Sequence, residues 1–289
     1  MSPNFETTQI STSHGMSFSA WVGGNADGEL VLLLHGFPQS RHSWRLQLPA
    51  LIEAGYRVIA PDQRGYSAGA RPDPSDLSNY RFENLVTDAL DIVAATGSPD
   101  RRFHLVGHDW GGQVSWGVAS AHPERLASLS VLSRPHPQAF LRALKDPDGE
   151  QKSRSKHHRS FLSSDTASLL LADDASRLRQ MLLGSGVPSE TVDDYVSILG
   201  DPQALEAALA WYRASPNLDV PIGLISVPTL YIWGDADQTV GRAAAEATSD
   251  YLRASCQFAV LPGVGHFASD QAPEQVNQLL LHHLAAHRC

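Results

Sequence analysis

The sequence predicts an α/β fold: a largely parallel sheet flanked by helices and broken by one helical insertion. Three observations predict it. Short apolar runs of strand length alternate with helical patterns, which implies βαβ units. The runs are continuous rather than alternating with polar residues, as befits parallel strands covered on both faces. Strand character then vanishes from about Pro135 to Leu218 and returns afterwards.

The elements follow in order. Leu30 to Leu34 is an apolar run ending in His35-Gly36, and Tyr56 to Ala60 is another, ending at Pro61. Phe82, Leu85, Val86, Ala89, Leu90 and Val93 recur at helical spacing. Arg102 to Val106 runs into Gly107, a helix begins near Gly112, and Leu126 to Leu132 follows it. The insertion is rich in Ala, Leu, Ser and Asp, with helix starts at Ser164, Asp173, Pro188-Ser189 and Pro202. Strands resume at Val227 to Trp233 and Gln257 to Leu261, and Pro273 to Ala286 is an amphipathic helix. Arg71 to Asp76 reads as a surface loop. The division is 1–134 for the first part of the core, 135–219 for the insertion and 220–289 for the second part. Neither repeats nor low-complexity tracts occur.

Bulk properties narrow the function. A chain of 289 residues, 42% hydrophobic and 18% charged, can bury a full core. A net charge of −9 argues against nucleic acid or an anionic membrane as partner. Cys256 and Cys289 make no disulfide framework and fit a reducing compartment. Met1 to Gly15 shows no basic stretch followed by an apolar one, and no apolar run is long enough to span a bilayer. A soluble, cytoplasmic protein is expected, with a homo-oligomer left open.

Gly107-His108-Asp109-Trp110-Gly111 lies between a strand and a helix, the setting of a nucleophile elbow. The glycines allow close packing, and the helix N-terminus favours the negative charge of Asp109. A bland alternative is that Asp109 merely caps the helix. His266 sits in a glycine-rich turn after a strand, and neutral imidazole can take a proton from water near pH 7. An ester formed on Asp109 would need that base. Asp235 and Asp237 both follow the strand Tyr231-Ile232-Trp233-Gly234, and either could orient His266. His282, His283 and His287 suggest a metal at first sight, but a solvated helix face is the simpler reading, and neither metal nor cofactor is expected.

Taken together, His35-Gly36-Phe37-Pro38, Asp62-Gln63-Arg64-Gly65-Tyr66-Ser67, Gly107 to Gly112 and Gly263-Val264-Gly265-His266 resemble the epoxide hydrolase and haloalkane dehalogenase branch of the α/β hydrolases. They occur in the family's order and cover nearly the whole chain. The resemblance implies a mostly parallel eight-stranded sheet flanked by helices, with a helical cap inserted after the sixth strand. It implies Asp109 as nucleophile, His266 as base and, three residues after Gly234, Asp237 as the acid. It also implies an oxyanion hole from the backbone N–H groups of Phe37 and Trp110, and it leaves His35 a structural role.

Carboxylate nucleophiles suit substitution at saturated carbon, followed by hydrolysis of the ester. Small apolar epoxides and alkyl halides are the two substrate classes, with water as co-substrate. Phe37 in His-Gly-Phe-Pro resembles the epoxide hydrolases. Ala208-Leu209-Ala210-Trp211-Tyr212-Arg213 resembles the cap segment carrying one of their ring-opening tyrosines, which points to Tyr212. The other tyrosine's position falls on His157, a departure from the family, with His158 and Tyr195 as alternatives. Epoxide hydrolysis is the leading expectation, haloalkane dehalogenation the second, and a non-catalytic ligand-binding protein the remote third.

Overall fold

A computed structural model describes residues 5–97, 99–216 and 222–289. Eight strands form one sheet: β1 (Phe5–Ser11), β2 (Ser17–Gly23), β3 (Leu30–Leu34), β4 (Arg57–Pro61), β5 (Phe103–His108), β6 (Leu126–Leu132), β7 (Thr229–Gly234) and β8 (Cys256–Leu261). Their order is β1-β2-β4-β3-β5-β6-β7-β8. β1/β2 and β2/β4 pair antiparallel and every other pair is parallel. The six parallel strands are the apolar runs of the sequence, and β3, β5, β6 and β7 are buried along their whole length. The hairpin β1–β2 shows only a partial alternation of buried and exposed residues, which is why no apolar run marks it.

The helices are α1 (Leu48–Glu53), α2 (Phe82–Ala95), α3 (Trp110–Ala121), α4 (Pro137–Lys145), α5 (Gln151–Arg154), α6 (Lys156–Phe161), α7 (Thr166–Gly184), α8 (Ser189–Leu199), α9 (Pro202–Ala214), α10 (Arg242–Glu246), α11 (Ala268–Gln271) and α12 (Pro273–Ala286). Helices α4 to α9 lie between β6 and β7 in the chain. The expected limit of the insertion at 219/220 falls outside the described residues. α7 is broken at Ala172–Ala175, where Asp173, Asp174 and Ala175 have positive φ. That break underlies the helix start read at Asp173.

The turn after β4 holds the insertion down on the core. Trp211 on α9 donates its indole N–H to the Arg64 carbonyl at 3.1 Å. The approach is so close that a Cβ on Gly65 would lie 2.8 Å from Ala207 Cβ. Arg64 in turn makes two hydrogen bonds to Asp88 on α2, at 2.6 and 2.7 Å, with both side chains buried. On α12, Val276, Leu280 and Leu284 face the core as its periodicity predicts. The expectation of a solvated histidine face there needs correction: His282 is exposed, but His283 is buried on the same stripe as Leu280 and Leu284.

Breaking one half of a buried ion pair leaves an uncompensated charge, whereas replacing both halves with apolar groups does not. Asp88→Ala is therefore expected to destabilise the fold by about 3 kcal/mol in urea unfolding. The Arg64→Met/Asp88→Leu pair should recover most of that loss. A double variant no more stable than Asp88→Ala would contradict the assignment.

Candidate active site

The site forms at the carboxyl ends of β3, β5, β7 and β8, beside the point where the order of the sheet reverses. Loops at such a point form a crevice suited to ligands. Asp109 stands between β5 and α3 with φ 49° and ψ −116°, an uncommon conformation for a residue with a side chain. Its amide is fixed by the Leu132 carbonyl of β6 at 3.2 Å. Two glycines make room for it. A Cβ on Gly36 would lie 2.4 Å from Asp109 Cβ, and one on Gly111 would lie 2.1 Å from the Leu34 carbonyl oxygen. The Asp109 side chain does not cap α3. It turns to the loop after β3, where Oδ1 accepts the Phe37 N–H at 3.0 Å.

His266 approaches from the loop after β8. Its Nε2 is 3.6 Å from Asp109 Oδ2, and its Nδ1 is 2.8 Å from Asp237 Oδ2. Asp237 is fully buried, and its other oxygen accepts the Thr239 and Val240 N–H groups at 2.7 and 3.0 Å. Asp235 is exposed and accepts the Gly263 N–H at 2.7 Å. Of the two acids read from the sequence, the structure brings Asp237 to His266 and uses Asp235 to tie two loops together.

The electrostatics follow. Burial alone would push the His266 imidazole down, but the Asp237 and Asp109 carboxylates outweigh it and raise the group to about 10. Burial would raise Asp109, yet the hydrogen bond and charge of His266, aided by His108 and Arg134, hold its carboxyl well below the ordinary range. The resting site is thus an ion pair of Asp109 carboxylate and His266 imidazolium.

An aromatic wall closes over Asp109. The Tyr212 ring lies 4.9 Å from Phe161, 5.1 Å from Trp110 and 5.5 Å from Phe37. Burial, then the charge of Asp109, push the Tyr212 phenol well above its usual range, so it keeps its proton. Trp110 opens α3, so its amide belongs to the first turn, where no intrahelical acceptor is available.

The sequence and the fold are similar to those of known proteins. The family model for the α/β hydrolase fold matches residues 29–273. The chain belongs to the α/β-hydrolase superfamily. It is 33% identical to the AB hydrolase superfamily protein YfhM of Bacillus subtilis (strain 168), over 96% of this chain and 97% of that protein. It is 32% identical to epoxide hydrolase 3 of Xenopus tropicalis, over 92% of this chain and 74% of that one. Among solved structures, an epoxide hydrolase of the superfamily from hot-environment metagenomes superposes with a TM-score of 0.84 at 27% identity, covering 98% of this chain and 99% of that one. The chain is thus a hydrolase with the superfamily's eight-stranded sheet. Among the described residues, no helix is long and apolar enough to cross a membrane.

Within this α/β-hydrolase frame, the cap residues depart from expectation in two places. Tyr195 is fully buried and donates its hydroxyl to Asp270 at 2.8 Å while accepting from Gln39 at 3.2 Å. It belongs to a polar link between α8 and α11, where its hydroxyl is engaged by Asp270 and Gln39. His157 donates Nδ1–H to the Arg154 carbonyl at 2.9 Å. In its neutral form the remaining Nε2 is then an acceptor, so only the cation donates without losing that bond. Burial, then the charge of His266, lower its pKa. His158 packs against Tyr212 with ring centroids 5.6 Å apart.

Sequence reasoning missed His108, which donates Nε2–H to the His266 carbonyl at 2.8 Å and whose ring lies 4.9 Å from that of His266, tilted by 58°. It also passed over Arg134. His35 fits its structural reading: it is fully buried, and its Nε2 accepts the Gln63 N–H at 3.2 Å.

A group with its folded pKa raised from 6.5 to about 10 adds stability that is fully present below 6.5 and is lost as pH rises through about 10. Asp237→Asn should lower the His266 titration seen by NMR by several units. The stability gap to wild type should be widest in acid and narrow towards pH 10. An unmoved His266 titration would contradict the pairing.

Proposed function

We propose that the protein is an epoxide hydrolase that opens epoxides to vicinal diols through an alkyl ester on Asp109. The observation that carries this reading is a carboxylate, rather than a hydroxyl, at the elbow, held between the Phe37 amide and the His266–Asp237 pair. The epoxide hydrolases among the relatives and solved structures support the substrate class.

In the first step, Asp109 Oδ2 attacks a ring carbon and the C–O bond breaks. Tyr212 gives a proton to the departing oxygen, with His157 as a second donor when protonated. Asp109 thereby loses its charge. Two of the influences that raise His266 vanish with it, so the imidazolium gives up its proton, which restores the Tyr212 hydroxyl, and His266 becomes a base. Water then gives a proton to His266 and adds to the Asp109 carboxyl carbon. Negative charge grows on Oδ1, where the Phe37 and Trp110 amides receive it; on collapse the C–Oδ2 bond breaks, the leaving oxygen takes the proton of the newly added hydroxyl, and the diol departs from a regenerated carboxylate. The site is lined by Phe37, Trp110, Phe161 and Tyr212, which suits a small apolar substrate body. Haloalkane dehalogenation is the second reading, favoured only by the Trp110 indole beside the nucleophile.

His266→Gln should stop the second step alone. Mixed with epoxides and alkyl halides, it should gain the mass of one substrate molecule on the peptide holding Asp109. No adduct with any of them would sink the proposal, and adducts with halides only would select the second reading. In wild type the burst of adduct should persist at pH 5, because Asp109 stays ionised there, while steady turnover falls as His266 remains protonated.

Single-turnover alkylation apportions the donors. Tyr212→Phe should lose about 10²–10³ in rate, as for one preorganised donor. His157→Phe should lose less, and its effect should grow as the pH falls, since a depressed pKa confines the cation to acid. A Tyr212→Phe rate within about twofold of wild type, some 0.4 kcal/mol, would remove Tyr212 from the mechanism.

A further inference from the structure

Arg134 lies just past β6, where the chain leaves the sheet for the cap. It is only 6% exposed. Its Nε donates to Gln113 Oε1 at 2.7 Å, and its guanidinium lies 4.7 Å over the Phe140 ring. Among the described residues no carboxylate pairs with it, and Nη1 and Nη2 donate to no described residue. Arg64, equally buried, shows the usual solution: a carboxylate, Asp88, takes two of its donors. The Phe140 ring that Arg134 covers lies 6.3 Å from His158, which packs 5.6 Å from Tyr212, so Arg134 borders the active site. Its charge helps hold the Asp109 carboxyl down and acts on Tyr212, His157 and His158.

A nearly buried cation to which the described residues offer no carboxylate is costly, and one neutral amide with one ring offsets only part of that cost. The two terminal N–H groups of a guanidinium form a planar fork that matches a carboxylate. We propose that Arg134 is the anion-recognition residue of the substrate pocket, and that the protein takes epoxides carrying a carboxylate on an apolar body. This rests on the epoxide hydrolase reading and narrows its substrate class. A carboxylate fits better than a phosphate dianion because Arg134 is a single cation. Burial lowers the pKa of its neighbours His157 and His158, which disfavours a second cation beside it. Arg134 also shields the bound anion from repulsion by Asp109, which a neutral pocket would not do.

Two assays on wild type, Arg134→Gln and Arg134→Lys test this. The first compares kcat/KM for 4-(oxiran-2-yl)benzoate and for ω-epoxyalkanoates, each beside its primary amide. The second compares binding of phenylacetate and phenylacetamide by calorimetry, with no reaction involved. Wild type should favour the carboxylate by about 10- to 100-fold, the worth of hydrogen bonds to a charged group. Arg134→Gln should bring the ratio near unity, and Arg134→Lys should keep part of it. Circular dichroism confirms that the variants fold. The ratio is the readout, because Arg134 also acts on Asp109 and absolute rates shift with it. A wild-type ratio near one in both assays, or an unchanged ratio in Arg134→Gln, overturns the proposal. Carboxylate binding that depends on Arg134 with no epoxide turned over would keep the anion site and reject the epoxide reading. Epoxide turnover without carboxylate preference would do the reverse.

Discussion

A carboxylate buried at the end of a strand governs the arrangement around it. Asp109 is nine-tenths buried, and a buried carboxylate ordinarily protonates unless charge and hydrogen bonds hold it ionised. Here an imidazolium faces Oδ2, an amide faces Oδ1, and a buried arginine adds its field. Each of these partners is itself fixed: His266 by Asp237 and His108, Phe37 by the loop after β3, Arg134 by Gln113. The positive φ at Asp109 and the bare α-carbons of Gly36 and Gly111 are the local conditions for that convergence.

The cap contributes in a different way. It is tied down by Trp211 on the Arg64 carbonyl, by Tyr195 on Asp270 and by Arg45, which donates to Thr191 on α8. These contacts set the height of α9, and with it the place of Tyr212 over Asp109. A polar link made of buried donors and acceptors fixes position better than apolar packing alone, because each unmatched group carries a penalty. The same anchoring presses Phe37, Phe161 and Tyr212 into a wall that keeps bulk water from the ion pair. In such surroundings electrostatic interactions are worth more than in water.

Much of this was legible in the sequence. The parallel strands are apolar runs, and α12 matches its periodicity end to end. Asp109 and His266 stand in glycine-bracketed turns whose position after strands is visible without coordinates. The hairpin β1–β2 was not, because an edge with one wet face carries few apolar residues. Nor was the choice between Asp235 and Asp237 settled by spacing on its own: both follow the same strand, and only the burial of one distinguishes them. The cap was hardest. Helical periodicity says which residues share a stripe but not which stripe faces the nucleophile, so Tyr195 looked available and the commitment of His157 Nδ1 to Arg154 was invisible. Arg134 was overlooked because one arginine after a strand carries no pattern. Its meaning lies in the partner it lacks among the described residues.

The central claim is that a carboxylate oxygen, not water, forms the new bond to the substrate. A single turnover in 18O-labelled water with enzyme in excess tests it most directly. Hydrolysis of an ester at its carbonyl leaves the water oxygen on Asp109, and the diol carries off an oxygen that the carboxylate already had. The account predicts an unlabelled diol and a single label in the peptide holding Asp109. A labelled diol from the first turnover, with unlabelled Asp109, would show direct attack by water and contradict it.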